Sequence, residues 1–419
     1  MAHKKEQIEF LNWEFGVFFH FGIRTFYEGH KDWDMQEMPL DGFNPTNLDC
    51  GQWMRIVKEA GAKYAILVCK HHDGFANWPS EYTEYSVKNT PWKNGKGDVV
   101  KEFTDACREY GVKVGLYYSP AEFGSKDKPN KDYDDYFINQ ISELLTNYGK
   151  IDYLWFDGCG SENHKYDEKR IIKVIRGLQP EILIFNMWDP DTRWVGNESG
   201  YAHTPNYINV KTISFSVQTE AGTEDALEEE KFLPVECDFR MRLHNWFYSD
   251  KDEDTIKTLD ELIGIYYYTV GRGANLLINI GPDRRGLLPD KDSKRLIELG
   301  GFIKKAFSAD NRISSNFIKN KETDSYICEL EKPALINHCV LREREENLDT
   351  VGSFSIKAYP YEYGLPITVY NGQTVGHKAI CKFPPFFTKK VEVTVHSYNF
   401  KKDRDNSKTE LEEISLYFV

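Results

Sequence analysis

Apolar and polar positions change period twice along this chain. Residues 15–21, 64–70, 112–118, 151–157 and 182–186 are short, nearly unbroken apolar runs rich in aromatic and β-branched side chains. That pattern predicts strands buried on both faces of a parallel sheet. Between them lie stretches with helical spacing at residues 49–60, 99–110, 135–148 and 169–178. In the first, Trp53, Ile56 and Val57 share one face, and Gly111 is placed to end the second. Less regular units follow, with strands predicted at 232–237, 246–248 and 275–280 and helices at 255–269 and 291–307. Repeated strand–helix units predict an α/β fold, an irregular (β/α)8 TIM-like barrel over residues 1–311. From residue 312 to 419 the runs shorten and alternate, at 325–330, 336–341, 354–359, 367–370, 378–383 and 391–396, with Asn371-Gly372 read as a turn. This predicts a C-terminal all-β module, most simply a β-sandwich.

Polar groups at the C-terminal ends of barrel strands converge on one pocket. Here those positions hold His20, His71, His72, Asp73, Tyr118, Asp157, Asn186, Glu236 and Asn279. Asp157 stands out, because it ends the apolar run Tyr153-Leu154-Trp155-Phe156, and a carboxylate there is costly to desolvate unless it is paired or used. Two-carboxylate glycosidase chemistry requires a second acid. Glu198, in the glycine-containing loop after the fifth strand, and Glu236, in a strand-like run, both qualify, and spacing does not choose between them. Adjacent residues of an extended chain point opposite ways, so one of His71 and His72 is expected at the pocket centre and the other at its rim. The first strand offers His20 alone rather than a His-x-His pair. That argues against a metal-dependent barrel hydrolase, and no metal or organic cofactor is expected. A sugar-binding protein built on an inactive barrel is the non-enzymatic alternative.

Charge narrows the partners. Lys plus Arg total 53 against 66 Asp plus Glu, a net charge of −13, which disfavours nucleic acid or an anionic membrane and suits a neutral substrate. The eight cysteines are scattered without a CxxC pair, as in a reduced cytosolic protein. No apolar segment follows the charged N-terminus, so cytoplasmic residence is expected unless a leader has been removed. Oligomeric state is not readable from the chain.

Several motifs together resemble the α-L-fucosidases of glycoside hydrolase family 29. They are residues 13–22, 62–64 with 70–75, 78–80, 97–100, 115–120, 155–158 and 271–282, and the resemblance covers essentially the whole chain. It implies a retaining exo-fucosidase acting on a fucosylated oligosaccharide or glycoconjugate. Asp157 matches the family nucleophile, with Trp155 lining the sugar site. His20, His71, His72, Tyr118 and Arg193 match residues that bind the sugar, and Trp246 is placed with them. The Arg-Trp-Val-Gly-Asn-Glu run at 193–198 resembles the subgroup acting on α-1,3/1,4 linkages, which favours Glu198 as acid/base and leaves Glu236 as a structural or substrate-binding group. The family's Glu-Trp sugar contact appears here as Asp32-Trp33, and Phe232 stands where tryptophan is common.

Overall fold

The computed structural model describes residues 4–28, 36–122, 130–161, 164–214, 224–320, 322–323, 325–362, 364–397 and 410–419. In chain order the first part runs α1 (Lys5–Trp13), β1 (Phe15–Phe19), α2 (Cys50–Glu59), β2 (Tyr64–Lys70), α3 (Val99–Tyr110) and β3 (Lys113–Tyr118). It continues with α4 (Asn130–Asn147), β4 (Tyr153–Phe156), α5 (Glu168–Leu178), β5 (Leu183–Phe185) and β6 (Arg193–Trp194). A two-stranded hairpin, β7 (Asn209–Ser214) and β8 (Glu224–Phe232), precedes β9 (Val235–Arg240), α6 (Leu259–Thr269), β10 (Asn275–Asn279) and α7 (Asp290–Ala306). The remainder is β11 (Arg312–Ser314), β12 (Ile318–Asn320), β13 (Ser325–Glu343), β14 (Val351–Pro360), β15 (Ile367–Gly372), β16 (Ala379–Ser397) and β17 (Leu411–Tyr417).

Eight parallel strands pair in the order β5-β4-β3-β2-β1-β10-β9-β6, so the first strand neighbours the last. A bridge between Phe185 and Thr192, with the Asn186 amide donating to the Thr192 carbonyl at 3.0 Å, brings the two ends together into a nearly closed barrel. The expected barrel followed by a β-sandwich is what the chain forms. The helices start where the sequence signals them. Asp49, Asp98 and Asp167 cap α2, α3 and α5 by accepting from backbone amides, and Gly111 ends α3 in the left-handed conformation.

Strand parity splits the barrel's apolar residues into two layers. Phe18, Tyr64, Ile66, Val68, Tyr117, Tyr153, Trp155, Leu183, Phe185 and Leu277 pack together inside the barrel. Their immediate neighbours, among them Val17, Phe19, Leu67, Leu116, Tyr118, Leu154, Phe156 and Ile278, join the outer layer beneath the helices. Phe10 and Trp13 of α1 belong to the inner cluster and close the end from which the strands start.

Four local expectations are corrected. Residues 246–248 lie in a loop, not a strand. The strand expected at 232–237 begins at Val235 and extends to Arg240, while Phe232 ends β8. The eighth barrel strand is the two-residue β6, in a stretch that reads as loop because two residues carry no periodicity. Asn371 and Gly372 are not a turn but pair with Ser355 and Phe354 inside β14–β15. A Cβ at Gly372 would overlap the Phe354 ring, so glycine serves close packing there.

The C-terminal strands form a seven-stranded antiparallel β-sandwich sheet with its own core of Cys328, Ile336, Leu341, Ile356, Val391 and Val393, among others. It joins the barrel at the closed end. Glu14, between α1 and β1, accepts from Lys378 at 2.8 Å through both carboxylate oxygens and from Arg342 at 2.7 Å. Burial works to raise the Glu14 pKa, but the Lys378 and Arg342 charges prevail and hold it at about 2. Burial also lowers the Lys378 pKa, which offsets part of the gain. A fall from 4.5 to about 2 corresponds to about 3 kcal/mol of stability, present above the unfolded value and lost as pH drops through the folded one. Glu14→Gln, which leaves Lys378 without its counter-charge and Arg342 with Glu413 alone, is expected to cost about 3 kcal/mol at pH 7 by urea denaturation. The gap between wild type and variant should close as pH falls from about 5 toward 2. A gap independent of pH would remove Glu14 from this role.

Candidate active site

The strands end around a cavity of about 230 Å³. Its base is the last inward-facing aromatic layer, in which the Trp155 ring stacks on Phe185 at 4.1 Å and 10° and on Tyr117 at 5.4 Å and 25°. Trp155 Nε1 donates to Glu236 Oε1 at 2.8 Å. Glu236 also accepts from the Tyr64 hydroxyl at 2.6 Å and the Tyr153 hydroxyl at 3.3 Å. It is completely buried, and burial pushes its pKa up to about 7 against these three donors.

Above this base sit three histidines and Asp157. His20 follows β1, and its Nδ1 lies 2.7 Å from Asn279 Oδ1 at the end of β10. Burial holds the His20 ring neutral, with a pKa of about 3. The His71 ring lies parallel to Tyr117, at 5.3 Å and 9°, and burial lowers its pKa well below the usual value. His72 Nδ1 is 2.6 Å from Ser119 Oγ, and its Nε2 is 3.5 Å from Asp157 Oδ2. Asp157 itself accepts from the Tyr117 hydroxyl at 2.9 Å and from the Cys159 amide at 2.9 Å, so both its oxygens are oriented.

The opposite wall comes from β6, β9 and the loops after them. Trp194 Nε1 donates to Asp238 Oδ1 at 2.7 Å, and both residues line the cavity. Burial, then the nearby Glu198 charge, pushes the Asp238 pKa up to about 8. Glu198 is exposed at the mouth, yet its pKa is raised, by desolvation first and by Asp157 as well, while Arg240 opposes. Arg240 lies over the Trp246 ring at 5.4 Å, and Trp246 faces His20 at 5.0 Å.

Of the residues singled out in the sequence, the cavity gathers Asp157, Glu198, His20, His71, His72, Asn186, Trp155 and Trp246. Both histidines of the 71–72 pair face it, contrary to the expectation of one at the rim. They lie past the end of β2, where the chain turns from His71 to Gly74, so strand alternation no longer applies. Tyr118 is not a lining residue: it belongs to the outer layer, and its hydroxyl donates to Gln140 Oε1 at 2.6 Å. Glu236 lies beneath the base, in the ring of donors described above. Arg193 points from β6 toward the 206–207 segment, donating to Asn206 Oδ1 at 3.1 Å and the Tyr207 carbonyl at 2.8 Å. Asp32 and Trp33 lie outside the described residues.

The sequence reading missed Tyr117 and Trp194 as lining groups, while Asp238, which with Glu236 resembles a second family motif of structural or aglycone-binding residues, also lines the cavity. Parity is the signal that finds them: Tyr117 is the register partner of Trp155, and Trp194 that of Glu236, two residues before Asp238. His71, His72 and Asp157 each offer an atom within 4.8 Å of the others, so the same corner has the donor set of a metal site.

A sequence model of the alpha-L-fucosidase family matches residues 2–306. Alpha-L-fucosidase 1 of Arabidopsis thaliana is 33% identical over 418 residues, covering 89% of this chain and 80% of its own. A crystal structure of a Bacteroides ovatus protein superposes with a TM-score of 0.88 at 33% identity, covering 99% of this chain and 74% of the other. A glycoside hydrolase 29 family member from an unknown rumen bacterium gives 0.84 at 32% identity, over 100% and 77%. With the family model spanning the barrel and a third of the residues shared across most of the plant enzyme, the chain belongs to the alpha-L-fucosidase family.

Proposed function

We propose that this chain is a retaining exo-α-L-fucosidase that removes terminal fucose from α-1,3/1,4-linked glycans, with Asp157 as nucleophile and Glu198 as acid/base. The observation that carries the reading is that these two carboxylates open onto one sugar-sized cavity, whereas Glu236 is occupied by three donors below it. No lysine or arginine is among the described lining residues, which suits a neutral ring. The linkage rests on the likeness of residues 193–198 to one subgroup of the family.

Asp157, held by Tyr117 and the Cys159 amide, attacks the anomeric carbon while Glu198 gives its proton to the leaving oxygen. Glu198 then takes a proton from the water that releases fucose from Asp157. A raised pKa suits the first step, since the acid must arrive protonated. The buried histidines meet hydroxyls of the ring among side chains withdrawn from solvent, where each hydrogen bond counts for more.

Asp157→Ala is expected to abolish fucose release with the fold intact, and an active variant would end its assignment as nucleophile. Glu198→Ala should lose about 10²–10⁴-fold, with azide restoring turnover of an activated aryl fucoside. If azide rescues Glu236→Ala instead, the acid/base role moves there. Branched Lewis-type glycans should be cleaved faster than simple α-1,2 substrates. Release of fucose at all distinguishes this reading from a sugar-binding protein on an inactive barrel.

The pH profile gives a separate test. Glu198 must be protonated to act, so activity falls as pH rises through its pKa. Arg240 lowers that pKa, and Arg240→Met should therefore move the alkaline limb of kcat/KM to higher pH. A limb that stays fixed or moves down would contradict Glu198 as the acid. The His71, His72 and Asp157 cluster favours one competing reading, a metal-dependent hydrolase, which predicts loss of activity on dialysis against a chelator.

A further inference from the structure

Two residues behind the cavity wall have hydrogen bonds that place a proton on Nδ1 of two of the histidines. The Ser119 hydroxyl donates its one proton to the Ala121 carbonyl at 2.8 Å, because a carbonyl can only accept. Ser119 Oγ is therefore an acceptor toward His72 Nδ1, 2.6 Å away, and that nitrogen must carry a hydrogen. The same logic holds at the neighbouring histidine through unrelated residues. Asn279 Nδ2 donates to the Trp246 carbonyl at 2.8 Å, which turns Asn279 Oδ1 toward His20 Nδ1 at 2.7 Å. An amide oxygen can only accept, so His20 Nδ1 is also the protonated nitrogen.

We propose that Ser119 and Asn279 are positioning residues that lock His72 and His20 in the Nδ1–H form, so that both present Nε2 to the cavity as hydrogen-bond acceptors. Ser119 is completely buried and Asn279 nearly so, and neither lines the cavity, so they act through the rings. His72 Nε2 stands 3.5 Å from Asp157 Oδ2, and two acceptors facing one another favour a bound group that brings a proton between them. The ligand chemistry that satisfies this wall is a hydroxyl that donates. Together with Asp157, it makes this corner of the cavity rich in acceptors, which a polyol ring fills and a fluorinated or O-methylated analogue does not.

The functional consequence rests on the sugar-site reading above, but the proton positions do not, so the test begins without ligand or turnover. In protein labelled with ¹⁵N-histidine, long-range ¹H–¹⁵N spectra identify the protonated nitrogen of each of the 11 rings, and His20→Asn and His72→Asn assign the two signals. The expected pattern is a protonated Nδ1 and a bare Nε2 in both rings at neutral pH. An Nε2–H tautomer in either ring, or a doubly protonated His72, would overturn the proposal. Ser119→Ala should release the His72 tautomer while leaving that of His20 unchanged. It should lower kcat/KM about tenfold, mainly by raising KM. Ser119→Thr, which keeps the oxygen, should restore both. A His72 signal unchanged in Ser119→Ala would equally remove Ser119 from this role. If the tautomers are as expected but no fucoside is cleaved, the sugar reading fails and the proton assignment stands.

Discussion

At the centre of the barrel, three donors converge on one carboxylate. Tyr64, Tyr153 and the indole of Trp155 all hydrogen-bond Glu236, which has no access to solvent. A buried carboxylate without partners would cost several kcal/mol, and a half-satisfied one would leave the aromatic layer free to rearrange. Satisfied as it is, it fixes the Trp155 ring. Trp155 in turn stacks between Phe185 and Tyr117, and the Tyr117 hydroxyl reaches Asp157. The orientation of Asp157 thus depends on a carboxylate carried by β9, three strands from β4 round the barrel and one layer down.

The barrel is regular where it builds this base and irregular where it builds the mouth. From β1 to β4 each strand is followed by a helix, and the side chains that face the cavity come from the strands or from the residue or two after them. Between β5 and β9 the described residues form no helix, only the short β6 and the paired β7 and β8. That departure is what places Glu198 on a loop at the mouth. Glu236, low on a barrel strand, is held in the hydrogen-bonded interior, whereas Glu198, on the loop, opens onto the cavity.

What the sequence reveals follows the same division. The apolar runs of β1 to β5 and β10 are long enough for their period to identify them, and Asp157 at the end of β4 was visible as a carboxylate in an apolar context. Which of two neighbours faces inward was not visible, since Tyr117 and Tyr118 are identical in kind and only register with β4 separates them. Strand rules also misplaced the His71–His72 pair, because β2 ends one residue earlier and a turn aims both rings at the cavity. β6 is too short to show a period, and Arg193, which the family resemblance makes a sugar contact, has its guanidinium held by Asn206 and the Tyr207 carbonyl.

Strand β9 shows why a motif of alternating charges resists interpretation by spacing. Glu236, Asp238 and Arg240 share the inward face of one strand, two residues apart, and so rise through the barrel in steps of roughly 7 Å. Burial dominates at the first two, pushing Glu236 to about 7 and Asp238 to about 8, and Arg240 emerges at the mouth beneath Trp246. Three charged residues in one run therefore occupy a dry interior, a cavity wall and a solvent-facing rim. An elevated pKa alone does not mark the proton donor, because Glu236 and Asp238 have it through desolvation while each accepts from an indole. Access is what distinguishes Glu198 from them, since its carboxylate combines a raised pKa with an open path to the cavity, and the proposed acid/base role rests on that. Chemistry at this site is governed less by which acids the chain carries than by the depth at which each is held.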